Sequence, residues 1–495
     1  MKASGNKENT YRNMLKGISI FGGVKIFEIL INLIRGKFVA IFLGPNGMGA
    51  SSIFTNVATT LTNLSSFGLN LAIVKEVSSA KEDDGKLTEV ITVAKRLFYG
   101  TALTGALICI LFSVLISQLS FGSSAYTLQF ILLALAVFLM VVNAGKLSIL
   151  QGMHEVKRLS RSSLIGSLAG LIFGIPLYYF FGTQGIVPAI VMLALTLNIF
   201  YSLNLRAATH ELPKTNFSWN SHNALVKKLF LLGFVLMASD IIGNICNYLL
   251  LIFIRKIGNM EDVGFFQAAN SITNQMAGVV FTALALDYFP RLSEAASDLR
   301  KMSGIINRQS EIITLIILPI SLLIILFAPL IVRVLLTDKF EVIIPLLRWM
   351  ALGVALKAMT YPMGYITFAK DNKKLFFWLE GVVGNILFLV APLLFFFKFG
   401  LIGFGYGMVV EHLLCLIIYW TVSRKLYNYT PAKNVFILFA ATTAIISLAL
   451  ILTYTRDTML ANWSVGSITC IFLIICAIQL RKLIRKDRTQ ANNDK

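Results

Sequence analysis

Lys25, Glu28, Asn32 and Arg35 follow one another at spacings of 3, 4 and 3, so on a helix all four lie on one face. Two cations with one carboxylate between them leave that face positive, which suits an anion such as a diphosphate. A second stripe follows at once: Ser52, Asn56, Thr59 and Asn63, at spacings of 4, 3 and 4. Two later stretches repeat the pattern, with Asp240, Asn244 and Asn247, then Gln267, Asn270 or Ser271, and Asn274. Further on, isolated ionisable groups stand inside apolar runs: Arg348, Lys357, Glu380, Glu411 and His412. Glu411 and His412 are sequence neighbours, which is no spacing for metal ligands, and the plainer reading is a packed, satisfied pair rather than a proton relay. Lys357 either snorkels or pairs with a carboxylate such as Glu380, or it contacts an anion. No metal site and no catalytic residue are expected.

The elements that must position these groups are membrane helices. The 495 residues are 57% hydrophobic and only 14% charged, with a mean hydropathy of +0.77, whereas a soluble chain carries roughly 25% charged residues. Apolar runs of about 20 residues recur, without the alternation over about 10 that marks a barrel strand. The fold class is therefore an all-α polytopic membrane protein. A net charge of +20 is what basic cytoplasmic loops produce, so no nucleic-acid partner is implied. The five cysteines, Cys109, Cys246, Cys415, Cys470 and Cys476, all fall in hydrophobic segments, which argues against a disulfide framework. The first apolar segment is long and charged and lacks a small-residue cleavage site, unlike a signal peptide.

Fourteen helices are predicted, at 14–42, 47–74, 90–117, 125–151, 161–181, 184–205, 226–254, 263–289, 305–335, 342–369, 375–397, 400–423, 434–454 and 463–481. With both termini in the cytoplasm, 33 of the 44 Lys and Arg residues fall on the cytoplasmic side and eight on the other, so the topology reads N-in and C-in. Trp349, Trp378, Trp420 and Trp463 lie near helix ends, as interfacial anchors do. An internal repeat is visible. At an offset of 216, Lys157-Arg158-Leu159 returns as Lys373-Lys374-Leu375 and Pro176-Leu177 as Pro392-Leu393. At 215, Gly49, Ser78, Ala80 and Asp83 map onto Gly264, Ser293, Ala295 and Asp298. Six helices separate the copies, so the repeat is parallel. The expected organisation is a tail (1–13), a six-helix N-lobe (14–206), a cytoplasmic linker (207–225), a six-helix C-lobe (226–424), an extra helix pair (433–482) and a basic tail (483–495).

A charge at the bilayer centre costs at least about 2.5–3.5 kcal/mol, so each stripe must face protein or water. One reading is that Lys25 and Glu28 pair and the stripes glue helices together. The other, favoured because four stripes sit on two repeat-related helix pairs, is a hydrated cavity between two lobes. Asp240 and Lys25 occupy equivalent positions at offset 215, as a static pair or as a gate. Pro319, Pro329, Pro345 and Pro362 are hinge candidates.

The stretch LGPNGMG with its following helix and charged loop, ILQGMHEVKRL at 149–159, VGFFQAANSITNQ through YFPRLSEA, and the segment 335–370 resemble Wzx-type polysaccharide flippases over about residues 15–430. That polysaccharide transporter family belongs to the MOP superfamily, with the MATE exporters and lipid II flippases. The resemblance implies a two-lobed MATE-like fold that alternates between inward- and outward-open states. It implies a flippase for an undecaprenyl-diphosphate-linked O-antigen or polysaccharide repeat unit in a bacterial inner membrane, acting in lipopolysaccharide biosynthesis. Membrane lipids are expected as surroundings, a polymerase and a chain-length regulator as pathway partners, and H+ or Na+ as a coupling ion, with no cofactor. The substrate-facing residues are then Lys25, Asn32, Arg35, Asn56, Asn63, Asn244, Asn247, Gln267, Asn274 and Lys357. Glu28, Asp240, Glu380 and Glu411 are the candidates for coupling or gating. The alternatives are a MATE-like cation-coupled multidrug exporter, which needs a net acidic cavity, and a membrane glycosyltransferase or polymerase, which needs a sizeable outer loop or acidic pairs.

Overall fold

The structure is a computed structural model describing residues 2–213, 219–454 and 458–493. Among the described residues its regular elements are helices, and each predicted span falls on helical segments, some of them broken. Eight helical stretches among the described residues are long and apolar enough to cross a membrane. Contacts divide the chain into two compact units, Met1–Gly264 and Phe265–Lys495.

The first unit begins with α1 (Lys2–Ser66), which is two helices end to end. They break at Gly44, whose φ of 64° an L side chain would resist, and Pro45 opens the second helix, where its missing N–H costs nothing. The second predicted helix does not run unbroken to 74. It stops at Phe67 and Gly68, both with positive φ, and resumes as α2 (Leu69–Ser79). Then come α3 (Asp84–Leu111), α4 (Ser113–Phe121), α5 (Thr127–Gly152), α6 (Val156–Phe181), α7 (Ile186–Ala208) and α8 (Trp219–Ile257). Packing of α3 on α5, α5 on α7 and α6 on α7 forms the body of the unit, and α8 docks against α1 and α2. Beside that dock, Lys228 meets Glu76 at 2.7 Å.

Cross-helix polar contacts fasten this body. Asn143 Nδ2 donates to the Ala194 carbonyl at 2.8 Å and Asn198 Nδ2 to Asn143 Oδ1 at 2.9 Å. Thr196 donates to the Gly166 carbonyl, Ser162 to that of Phe200, and Ser163 meets the Tyr201 hydroxyl at 2.7 Å. In hydrocarbon such groups have no water to turn to, so helix neighbours satisfy them.

The second unit takes in most of α9 (Met260–Glu294), then α10 (Leu299–Leu335), α11 (Ile344–Ala369), α12 (Lys373–Phe376), α13 (Asn385–Phe399), α14 (Gly403–Tyr427), α15 (Lys433–Leu452) and α16 (Thr458–Asn493). Residues Phe377–Gly384, between α12 and α13, form π-helical turns. The pairs α10–α11, α11–α14 and α13–α14 carry the core, and α15 and α16 dock on α10 and α11. Trp349 Nε1 donates to the Tyr454 hydroxyl at 2.9 Å, and Arg308 donates to the Leu483 carbonyl.

The repeat reappears as shared local devices. Asp83 caps α3 by accepting from the Gly85 and Lys86 amides, and Asp298 caps α10 by accepting from Arg300 and Lys301. Each pair of donors lies 215 residues from its counterpart. Within the first unit, residues one repeat apart touch each other: Asn46 Nδ2 donates to Glu261 Oε1 at 3.0 Å, and a Cβ on Gly49 would stand 3.1 Å from the Gly264 nitrogen.

A Cβ at Gly233 would lie 2.4 Å from the Phe67 carbonyl oxygen, whereas one at Gly100 meets nothing within 4 Å. Gly233→Ala should lower the melting temperature of the detergent-solubilised protein, by a loss of about 1–3 kcal/mol, and Gly100→Ala should leave it unchanged or slightly raised. Backbone amides, first Lys86 for Asp83 and Lys301 for Asp298, hold both capping carboxylates below the usual range. Such a group stabilises the fold above the unfolded value of about 3.9, and its contribution is lost as pH falls through the lower folded value. Hydrogen exchange, corrected for intrinsic rates, should show first-turn protection in α3 and α10 fading only below about pH 4. In Asp83→Ala, protection at α3 should be reduced at every pH.

Candidate functional site

Inside the second unit, α11, the π-helical turns and α14 enclose a cavity of about 390 Å³. Lys357, Tyr361 and Tyr365 recur every four residues on α11, so one helix face supplies an ammonium and two phenols. Lys357 Nζ sits 5.7 Å from the centre of the Phe281 ring, a cation–π arrangement. Tyr361 donates to the Phe281 carbonyl at 2.9 Å and lies 3.2 Å from the Tyr365 hydroxyl.

Opposite that face stands Glu380, carried by the π-helical turns. The extra residue per turn frees carbonyls, and Asn385 Nδ2 satisfies two of them, those of Glu380 and Gly381, at 3.2 and 2.9 Å. The Glu380 carboxylate is pressed close to Gly364, where a Cβ would come within 2.6 Å of Oε1. Its other neighbour is Tyr419, whose hydroxyl is turned toward it. From α14 come Glu411 and His412, 6% and 7% exposed. His412 Nδ1 lies 3.7 Å from Glu411 Oε1.

The expectation of a fully satisfied Glu411–His412 pair is corrected at one atom. His412 Nε2 is buried and has no hydrogen-bond partner among the described residues. Neighbouring positions on a helix do not face each other, and the Nδ1–Oε1 separation of 3.7 Å is longer than a hydrogen bond. Lys357 forms no ion pair among the described residues either, and its ammonium shares the cavity with Glu380 and Glu411. The cavity therefore gathers one ammonium, two carboxylates and an unpartnered imidazole nitrogen, with no ion pair between Lys357 and either carboxylate among the described residues.

In the first unit, Arg35 lines a smaller cavity of about 150 Å³ with Ser51, Thr55 and Tyr178. The side chain of Lys25 lies outside the described residues. Glu28 is half-buried and Asn32 exposed on α1. On the second half of α1, Asn56 and Asn63 are half-buried, and Thr60 donates to Asn56 Oδ1 at 3.4 Å. On α8, Asp240 is exposed, Asn244 Nδ2 donates to the Asp240 carbonyl at 2.6 Å, and Asn247 is half-buried. On α9, Gln267 is half-buried and Asn274 Nδ2 donates to Asn270 Oδ1 at 2.7 Å.

Asn56, Asn244 and Asn274 bond within their own helices, unlike Asn143 and Thr196, which bond across helices. That difference counts against the stripes as interhelical glue. The sequence suggested Lys357 beside Glu380 and Glu411 beside His412 but not their common cavity, nor the part of Tyr361, Tyr365, Asn385 and Tyr419 in it. The available signal was the four-residue spacing of Lys357, Tyr361 and Tyr365.

Comparison with known proteins adds to this geometry. Residues 38–345 match the polysaccharide biosynthesis protein family. The lipid III flippase of Escherichia coli (strain K12) is 23% identical over 378 residues, which cover 74% of this chain and 88% of that protein. The protein of the same name from Shigella flexneri matches equally. Among solved structures, the lipid II flippase MurJ in an inward closed conformation superposes with a TM-score of 0.71 at 18% identity, over 94% of this chain and 99% of that one. A multidrug resistance MATE family transporter of the MOP superfamily in an inward-facing conformation gives 0.66 at 17%, over 88% and 100%. At these identities the likeness shows the fold, which is that of the MOP transporters.

The shared cavity predicts coupled energetics. Lys357→Met leaves two carboxylates without their nearby cation and should destabilise the protein, while Lys357→Met with Glu411→Gln should recover part of the loss. Thermal unfolding of the two single variants and the double should yield an interaction of about 0.5–3 kcal/mol. Strict additivity would show the two groups to be electrically independent.

Proposed function

The chain belongs to the polysaccharide biosynthesis protein family, and from that premise we propose that it flips a lipid-linked oligosaccharide across a bacterial inner membrane. It is a transporter rather than an enzyme. The proposed substrate is an undecaprenyl-diphosphate-linked repeat unit of an O-antigen or related polysaccharide. It would move from the cytoplasmic to the periplasmic leaflet by alternating access, with both termini in the cytoplasm.

The observation that carries this reading, beside the family, is Arg35. Arg35 lines a mostly apolar cavity in which Ser51, Thr55 and Tyr178 are its polar neighbours, and an always-charged fork is suited to a phosphate. Lys25, about three helical turns before Arg35 in the sequence stripe, is proposed as a second cation. The polar faces of Asn32, Asn56 and Asn63, and of Asn244, Asn247, Gln267 and Asn274, supply hydrogen bonds for sugar hydroxyls. Energy input is assigned to the second unit. Glu380 and Glu411, with Lys357 and His412 beside them, hold carboxylates where an H+ or Na+ alters the balance of charge. Glu28 and Asp240 are the gating candidates on α1 and α8.

Reconstituted flipping of a fluorescent lipid-linked oligosaccharide tests the assignment. Arg35→Ala should reduce the rate at least about tenfold, one lost charge-assisted contact to phosphate being worth roughly 1.5–3 kcal/mol, and Arg35→Lys should retain part of it. Glu380→Gln should abolish dependence on an imposed H+ or Na+ gradient while leaving the protein folded. Full transport by Arg35→Ala in normally expressed protein would remove Arg35 from the substrate path.

A further inference from the structure

A third cavity lies in the first unit, away from every group assigned above. It has a volume of about 160 Å³ and is lined by Lys95 and Tyr99 of α3, Lys146 of α5, and Ser202 and Arg206 of α7, closed behind by Phe98. Three cations therefore line one small space, and no carboxylate lines it. The nearest carboxylate along α3, Glu89, is engaged with His222 at 3.7 Å.

Lys146 is the key member. It is 9% exposed and makes one hydrogen bond among the described residues, Nζ to Ser202 Oγ at 2.7 Å, while the Ser202 hydroxyl donates to the Asn198 carbonyl at 2.6 Å. An ammonium has three donors, so two of them are unclaimed among the described residues. Lys95 and Arg206 form no ion pair among the described residues. Clustering three like charges is unfavourable, and a buried ammonium without a counter-charge more so. An anion with several acceptor oxygens removes both costs together.

The surroundings indicate how that anion arrives. Along α3, Lys95, Tyr99 and Leu103 follow at four-residue steps. Along α7, Arg206, Ser202 and Ile199 follow at four and three. Tyr99, Leu103 and Ile199 are 49%, 55% and 47% exposed. Each charged end thus continues into an exposed apolar track on the same helix face. The charges lie toward the end of the bundle where α3 begins and α5 and α7 finish, which carries the basic side of the chain. A headgroup at the cations with a hydrocarbon chain along the track fits this layout, as it would at a membrane surface.

We propose that Lys95, Lys146 and Arg206 form a binding pocket for the phosphoryl headgroup of a membrane lipid. The pocket is separate from the Arg35 cavity and from the Lys357–Glu380–Glu411 cavity, and it stands whether or not the chain flips oligosaccharides. The phosphoryl oxygens accept from Lys146 Nζ in the interior and from the Arg206 guanidinium and Lys95 at the rim.

Native mass spectrometry of the full chain, with graded additions of phosphatidylglycerol, phosphatidylcholine, undecaprenyl diphosphate and inorganic diphosphate, tests this. Wild-type protein should retain an anionic phospholipid or the polyprenyl lipid at least tenfold more tightly than phosphatidylcholine, with affinity falling as salt rises. Preference for phosphatidylglycerol identifies a structural phospholipid, and preference for undecaprenyl diphosphate identifies the isoprenoid pool; each supports the pocket. Lys146→Met should remove the preference, and so should Lys95→Gln with Arg206→Gln, which alters only the rim and guards against misfolding at the buried lysine. Thermal unfolding in phosphatidylglycerol and in phosphatidylcholine should show a lipid-dependent stabilisation in the wild type that both variants lose. Undiminished anionic-lipid preference in both variants, or binding of inorganic diphosphate with no preference among lipids, would overturn the proposal.

Discussion

Hydrocarbon offers a polar group no water, and this governs where each such group of the chain can sit. Two solutions occur side by side. In the body of the first unit, Asn143, Asn198, Thr196, Ser162 and Ser163 bond across helices. In the second, Ser321 reaches the Ala351 carbonyl at 3.0 Å. These contacts hold helices together. On the stripes, by contrast, Thr59, Asn244 and Asn274 bond within their own helix, which satisfies part of each group and leaves the rest available. The same residue types therefore fasten helices in one place and bond within their own helix in another.

Close backbone approach is the second requirement, and glycine meets it. Gly68 adopts a left-handed conformation where its backbone meets Gly233, and Gly264 lies against the Pro45 carbonyl. A side chain at either contact would push the helices apart. These approaches seat α8 on α1 and α2 and start α9 in its place. The matching aspartate caps on α3 and α10 show that the two halves solved the problem of beginning a helix in the same way.

The charged cavity of the second unit rests on a local departure from α-helical geometry. Eight π-helical residues carry Glu380, and Gly364 leaves room for its carboxylate. Lys357 stands across the space and Glu411 and His412 in the wall, so opposite charges share one cavity whose low-dielectric wall does little to screen them. The three-cation pocket on α3, α5 and α7 is a different object: its charges share one sign, and it needs its counter-charge from outside the protein.

Much was legible from residue order. Hydropathy determined the membrane class and the helix positions, because about 20 apolar residues are needed to cross and their lengths can be counted. The 215–216 offset revealed the duplication, and the i, i+3, i+4 spacings put Lys25 to Arg35 and the later amides on helix faces. The Gly44–Pro45 break was readable because those residue types do little else. Tertiary structure alone decided which neighbours each face acquired. The break at Phe67–Gly68 comes from the approach of Gly233, 165 residues away. The assembly of Lys357, Glu380, Glu411 and His412 in one cavity, and of Lys95, Lys146 and Arg206 in another, depends on which helices pack and at what rotation. Periodicity gives the direction of a side chain from its own helix axis and carries no information on what stands opposite.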